Sequence, residues 1–154
     1  MAEGLSGAGG LPGDIADVFR LDGRCAVVTG AASGLGQAIA LGFAQFGAAV
    51  ACLDIDLEGA QRTSDMISGL GRESSAIQTD VRDWESVRAS AADARELTGT
   101  VDVAVNGPGI HRRKPVLGLA PEEFSEVLDV NLKALFHCSK AFGELMLPNA
   151  GGRS

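Results

Sequence analysis

The chain has 154 residues, 45% of them hydrophobic and 21% charged, with a formal net charge of −7. That length and balance fit one soluble globular domain. The acidic excess argues against a nucleic-acid or anionic-membrane surface, which needs clustered Lys and Arg, and no apolar run reaches the roughly twenty residues of a membrane span.

Met1 to Pro12 is rich in Gly and Ala and lacks the basic region and apolar core of a signal peptide. Residues 1–20 therefore read as a flexible tail ahead of a domain over 21–154. The first strand is expected at Cys25–Thr29, followed by glycines at 30, 34 and 36. A helix from Leu35 to Phe46 would turn Ile39, Phe43 and Phe46 inward and stop at Gly47. A second strand, Ala49–Leu53, ends at Asp54. Asp56 then caps a helix carrying Ala60, Ser64 and Ile67 that closes near Gly71. The third strand, about Ser75–Thr79, leads into Asp80-Val81. Asp83 caps a helix with Trp84, Val87, Ala91 and Ala94 inward, closing at Gly99.

The fourth strand, Val101–Val105, is followed by Asn106-Gly107-Pro108-Gly109. Pro121 suits the first turn of a helix, with Glu122 and Glu123 beside it and Phe124, Val127 and Leu128 expected to be buried. The last helix, about Leu132 to Leu147, carries one polar stripe, Lys133, His137, Lys140 and Glu144. The rest of its circumference is apolar. It therefore expects cover on two sides, one from the sheet and the other from a further helix or a partner subunit. Strands alternating with helices imply βαβ units and a parallel sheet. Right-handed winding gives strand order 3-2-1-4, an α/β Rossmann-type doubly wound sheet of about four strands, with helices on both faces.

The stretch Val27-Val28-Thr29-Gly30-Ala31-Ala32-Ser33-Gly34-Leu35-Gly36 carries the chemistry. Gly30, Gly34 and Gly36 would let the backbone turn tightly and approach a pyrophosphate at a helix start, where unpaired N–H groups point outward. Ser33 would add a hydroxyl and an amide, and Leu35 a backbone contact, while Thr29 orders the turn. The competing reading is plain turn punctuation. Asp54, at the tip of the second strand, suits the two hydroxyls of an adenosine ribose. Its charge would repel a 2′-phosphate, and Leu53, Ile55 and Asp56 supply no cation, so the cofactor expected is NAD. Asp80 is placed to accept from an adenine amino group, with Val81 contributing backbone. An Asx-turn is the rival role for Asp80.

The glycine spacing is G-x-x-x-G-x-G. Together with Asp80-Val81, the Asn106–Gly109 turn and Asn131, in that order, it resembles the short-chain dehydrogenase/reductase family. The resemblance implies an NAD-dependent oxidoreductase acting on an alcohol/carbonyl pair, and it adds Asn106 and Gly109 to the cofactor contacts. Gly107 and Pro108 depart from the family's Asn-Asn-Ala-Gly, and a proline has no N–H to give. The family's chemistry rests on a Ser and a Tyr-x-x-x-Lys pair, whereas this sequence contains no tyrosine. Of the catalytic group only Asn131 is present, an auxiliary residue that in the family supports a proton relay; alternatively it caps the helix after it. The chain is thus expected to be the cofactor-binding half of such an enzyme, inactive alone. The other readings are a non-catalytic nucleotide-binding or interaction module, or a non-functional truncation product. The resemblance also places the final helix, 132–147, in a homo-oligomer interface.

Three cysteines, Cys25, Cys52 and Cys138, lack metal-ligand spacing. They read as buried thiols in a reducing, cytoplasmic compartment. His111-Arg112-Arg113-Lys114 reads as a solvated loop, and neither histidine has metal-ligand neighbours, so no metal site is expected.

Overall fold

The computed structural model describes residues 18–147; most of the expected tail, residues 1–17, lies outside them. Four strands form one sheet, β1 (Cys25–Thr29), β2 (Ala49–Asp54), β3 (Ser74–Gln78) and β4 (Val103–Asn106), in the order β3-β2-β1-β4. All pairs are parallel. Among the described residues the α-helices around it are α1 (Gly34–Gln45), α2 (Leu57–Gly69), α3 (Trp84–Glu96), α4 (Pro121–Leu128) and α5 (Ala134–Met146). The expected topology is the one found, with boundaries displaced by one or two residues.

The register positions the site. Thr29 lies opposite Leu53 on one side and Asn106 on the other, and Asp54 lies opposite Gln78. Gly30, Asp54, Thr79 and Gly107 therefore leave the sheet along one edge. Alternation along the strands makes two cores. Ala26, Val28, Val50 and Cys52 pack on Ala40, Ala44, Ala60 and Ile67 of α1 and α2. Val27, Ala51 and Leu53 pack on Val87, Ala91, Ala94, Cys138 and Phe142 of α3 and α5. Because both faces are covered, β1 is buried end to end and reads as a continuous apolar run.

Asp56 accepts from the Gly59 N–H at 3.1 Å, and Asp83 from the N–H groups of Glu85 and Ser86, so both expected caps form. Pro121 opens α4, as expected. The face of α1 is a correction. Gly36, Ala40 and Ala44 are its buried residues, while Ile39 and Phe46 are exposed and Phe43 is half-buried. Small residues four apart let this helix lie close on the sheet, and larger side chains there would hold it away.

α4 is a second correction. It buries no residue, and Phe124 and Leu128 are exposed. A wider π-helical turn, Asp129–Lys133, joins it to α5, which begins two residues later than expected. Leu132 on the π-helical turn and Phe136 on α5 are 66% and 65% exposed, so an apolar outer face is present. His137, expected on the solvated stripe, instead faces inward at 9% exposure.

All three cysteines are free and buried. Burial pushes the Cys52 and Cys138 thiols up to about 11, which suits inert apolar side chains. Cys25 pairs with Ala49, whereas Cys52 pairs with Val28, so they stand three positions apart in register. Among the described residues no helix is long and apolar enough to cross a membrane.

Candidate functional site

A cleft of about 470 Å³ opens where the strands end, its wall including Gly30, Ser33, Leu35, Gly36, Asp54, Asp80, Val81 and Gly109. It straddles β1 and β4, where the strand order reverses, the usual position for ligands on such sheets. Eight of the expected site residues are thus brought together. Gly34 and Asn106 are not part of the wall, and Asn131 stands behind it.

Backbone contact explains two of the glycines. A Cβ on Gly36 would lie 2.0 Å from the Gly30 carbonyl oxygen, so only a bare Cα lets α1 begin directly against the turn. Gly30 has a φ of +75°, and its Cβ would meet Gly107 and the Pro108 nitrogen at 2.9 Å. Ser33, in extended conformation, occupies the N-cap position of α1 without its side chain capping the helix. The first amides of α1 therefore keep their donors for something else, and helix polarity makes that end attractive to an anion. Thr29 orders the turn as expected. Its hydroxyl donates to the Val105 carbonyl at 3.1 Å and accepts from the Gly107 N–H at 3.2 Å, which joins β1 to the loop after β4.

Asp54 accepts from the Ala32 N–H through one oxygen at 2.9 Å and from the Asp56 N–H through the other at 3.0 Å. A carboxylate offers about four acceptor positions. Each oxygen therefore keeps one for a hydroxyl, and the held geometry presents them as a pair.

Asp80 forms the Asx-turn that was its rival role, and it also lines the cleft. The Arg82 N–H donates to its Oδ1 at 3.0 Å, an Asx-turn. The Arg82 guanidinium adds a bidentate pair at 2.9 and 2.6 Å. That side-chain bond holds the Asp80 carboxyl below the usual carboxylate range. Oδ2 receives only the one short bond, so acceptor capacity remains on the cleft side. Arg82 also lines the cleft. Arg82 lies outside the Leu53–Asp56 segment, and its sole signal in the sequence is its place two residues after Asp80.

Other residues hold this frame from behind. The Asp80 N–H donates to the Ser86 hydroxyl at 3.0 Å, and Thr79 and Ser90 share a buried hydroxyl pair at 2.8 Å. The Thr63 hydroxyl donates to the Ala31 carbonyl at 2.8 Å and accepts from the Gln37 amide at 3.0 Å, pinning the glycine turn to α2. Asn106 turns towards α5, donating to the Ser139 hydroxyl at 3.0 Å. Asn131 does not cap α5, because the π-helical turn runs into that helix without a break. Its amide instead accepts from the Ile110 N–H at 2.9 Å and donates to the Ile110 carbonyl at 2.8 Å. It thereby braces the loop that carries Gly107 to Gly109.

In the basic loop, Arg112 pairs with Glu126 and Lys114 with Glu123, both on α4. Those contacts leave it a surface loop, as expected. No cluster of metal-ligating side chains occurs among the described residues.

The cleft's donors and acceptors fit a dinucleotide. The turn supplies a bare-backbone cradle, the strand tip a paired acceptor, and the loop after β3 an acceptor beside an amide. The chain also matches known proteins. A family model described as short chain dehydrogenase matches residues 24–153. D-threitol dehydrogenase of Mycolicibacterium smegmatis is 38% identical over 134 residues, 87% of this chain and 52% of that protein. 7alpha-Hydroxysteroid dehydrogenase of Escherichia coli is 35% identical over 136 residues, 88% and 53%. The crystal structure of a short-chain type dehydrogenase/reductase from Mycobacterium marinum superposes with a TM-score of 0.83 at 32% identity, covering 86% of this chain and 54% of that one. The chain spans about half the length of the curated relatives it matches.

Proposed function

Because this chain belongs to the short chain dehydrogenase family, we propose that it is the cofactor-holding part of an NAD-dependent oxidoreductase acting on an alcohol/carbonyl pair. The observation that carries this reading is Gly36 seated against the Gly30 carbonyl, with Asp54 presenting one spare acceptor per oxygen at the next strand tip.

The amides of Ser33, Gly34, Leu35 and Gly36 would hold the pyrophosphate at the start of α1. Asp54 would accept both adenosine ribose hydroxyls, while Asp80 and the Val81 N–H would read the adenine edge. Gly109 would meet the nicotinamide ribose, with Asn106 fixing the end of β4 from behind. When bound, the nicotinamide ring supplies hydride acceptance or donation. NAD is favoured over NADP because Asp54 opposes a 2′-phosphate and the Arg82 guanidinium is already committed to Asp80. A general acid/base must move the substrate proton, and the tyrosine the family uses for that is not among these 154 residues. Asn131 would serve a proton relay only alongside it. The substrate is proposed to be a small-molecule alcohol or carbonyl compound, as the names of the relatives suggest for those proteins. The exposed apolar residues Leu132 and Phe136 support self-association through the 132–147 helix, and the three free thiols suit the cytoplasm.

The test is calorimetric titration of the 154-residue chain with NAD and NADP, alongside an assay for alcohol-dependent NADH formation. NAD is expected to bind at least about ten-fold tighter than NADP, the cost of placing a phosphate against a carboxylate, with no turnover. Tighter NADP binding, or sustained turnover by these residues alone, would overturn the proposal.

A further inference from the structure

We infer that His137 is a positioning residue for the adenine end of the cleft, acting through Val81; the inference rests on the nucleotide reading of that cleft. His137 belongs to α5, yet its Nδ1 lies 3.2 Å from the Val81 carbonyl oxygen, across 56 residues of sequence. A carbonyl only accepts, so Nδ1 carries the hydrogen. The same peptide unit is held at its other end, where the Arg82 N–H donates to Asp80 at 3.0 Å. One peptide plane is therefore fixed from both sides, once by its own loop and once by a helix that supplies no residue to the cleft wall. With the Asp80 N–H also held, by Ser86 at 3.0 Å, fixing that plane restricts the direction of the Val81 N–H between them, the donor assigned to the adenine ring.

The ring itself is seated. Its edge meets Trp84 at 5.8 Å between centroids and 62° between planes, and Lys140 lies 5.0 Å above the Trp84 ring. Packing alone does not call for a histidine there. Val87, Cys138 and Phe142 already close the apolar contact between α3 and α5, and a phenylalanine would fill the space against Trp84. What only a donor supplies is the bond to Val81.

The experiment compares NAD with nicotinamide hypoxanthine dinucleotide, which is the same size but has an N–H donor at ring position 1 and no amino group. Wild-type chain is expected to prefer NAD by about five- to ten-fold, the scale of losing a buried amide hydrogen bond. His137→Phe is expected to lower that ratio at least two-fold, the remainder resting with Asp80 at the exocyclic group, and His137→Gln, whose amide still donates, to restore it. His137→Leu replaces the phenylalanine variant if the latter does not fold, as judged by far-ultraviolet circular dichroism, because Trp84 touches residue 137 and its emission would change regardless. A merely structural role would weaken both dinucleotides equally and leave the ratio unmoved, which overturns the inference. So does a wild-type ratio in His137→Phe while Asp54→Ala still weakens NAD, a result that leaves the nucleotide reading standing. Failure of wild-type chain to bind either dinucleotide removes both.

Discussion

Gly36→Ala and Gly42→Ala introduce the same methyl group into one helix, and the structure gives them opposite signs. At Gly36 the new carbon would stand 2.0 Å from the Gly30 carbonyl oxygen and 2.6 Å from its carbon, where real contacts essentially never fall below 3.0 Å. At least about 1 Å must be found, and the obstacle is backbone on both sides. Either α1 lifts off the turn or the turn opens, a loss on the overpacking scale of about 1–3 kcal/mol. For a domain of this size that lowers the melting temperature by roughly 2–12 °C. Gly42 has nothing within 4 Å and ordinary helical backbone, so alanine there should stabilise by about 0.5–1 kcal/mol. Thermal and urea unfolding, followed by Trp84 emission, measures both. On the proposed nucleotide reading, NAD affinity should fall roughly ten-fold or more in Gly36→Ala, because the displaced amides are those proposed to hold the pyrophosphate, and should be unchanged in Gly42→Ala. A Gly36→Ala variant as stable as wild type, or a Gly42→Ala variant equally damaged, would refute the claim that the helix start is in backbone contact with the turn.

Two further outcomes are expected. Thr63→Val keeps the shape of a fully buried side chain but strands the Ala31 carbonyl and the Gln37 amide, so urea unfolding should show a loss of about 1–3 kcal/mol. Asp102 accepts from the Cys25 N–H at 2.9 Å and from Arg24, and the backbone bond, followed by the guanidinium, holds its carboxyl below the ordinary value. Since the folded value is lower than the unfolded one, this contribution is complete above the unfolded carboxylate value of about 4 and is lost as pH falls through the folded value. The gap in stability between wild type and Asp102→Asn should therefore shrink on acidification; a gap independent of pH would contradict it.

The sheet order and the helix starts were legible because their causes are local. Asp56, Asp83 and Pro121 act within a turn of where they stand, and parallel strands announce themselves as apolar runs. The inward faces of the helices were less legible, because hydrophobicity alone ranks Ile39 and Phe46 above Gly36, Ala40 and Ala44. The distance between helix and sheet decides otherwise, and small residues at a spacing of four were its only trace. α4 misled for a different reason. Phe124 and Leu128 look like core residues, yet nothing in the described residues covers them. At the site, Gly30, Gly36, Asp54 and Asp80 could be read from their positions after strands. Asn131, His137 and Thr63 could not, since each acts on a backbone group distant in sequence. Only the folded chain sets those pairs together.

The most direct test of the central claim is the ratio of NAD to NADP affinity in Asp54→Ala, measured by calorimetry beside wild type. Asp54 also holds the Ala32 and Asp56 amides, so a loosened turn alone would weaken both dinucleotides and leave their ratio as it was. If the carboxylate accepts the ribose hydroxyls and repels a 2′-phosphate, NAD binding falls by roughly ten-fold or more while NADP binding holds or improves, and the preference collapses. An unchanged preference would contradict the account.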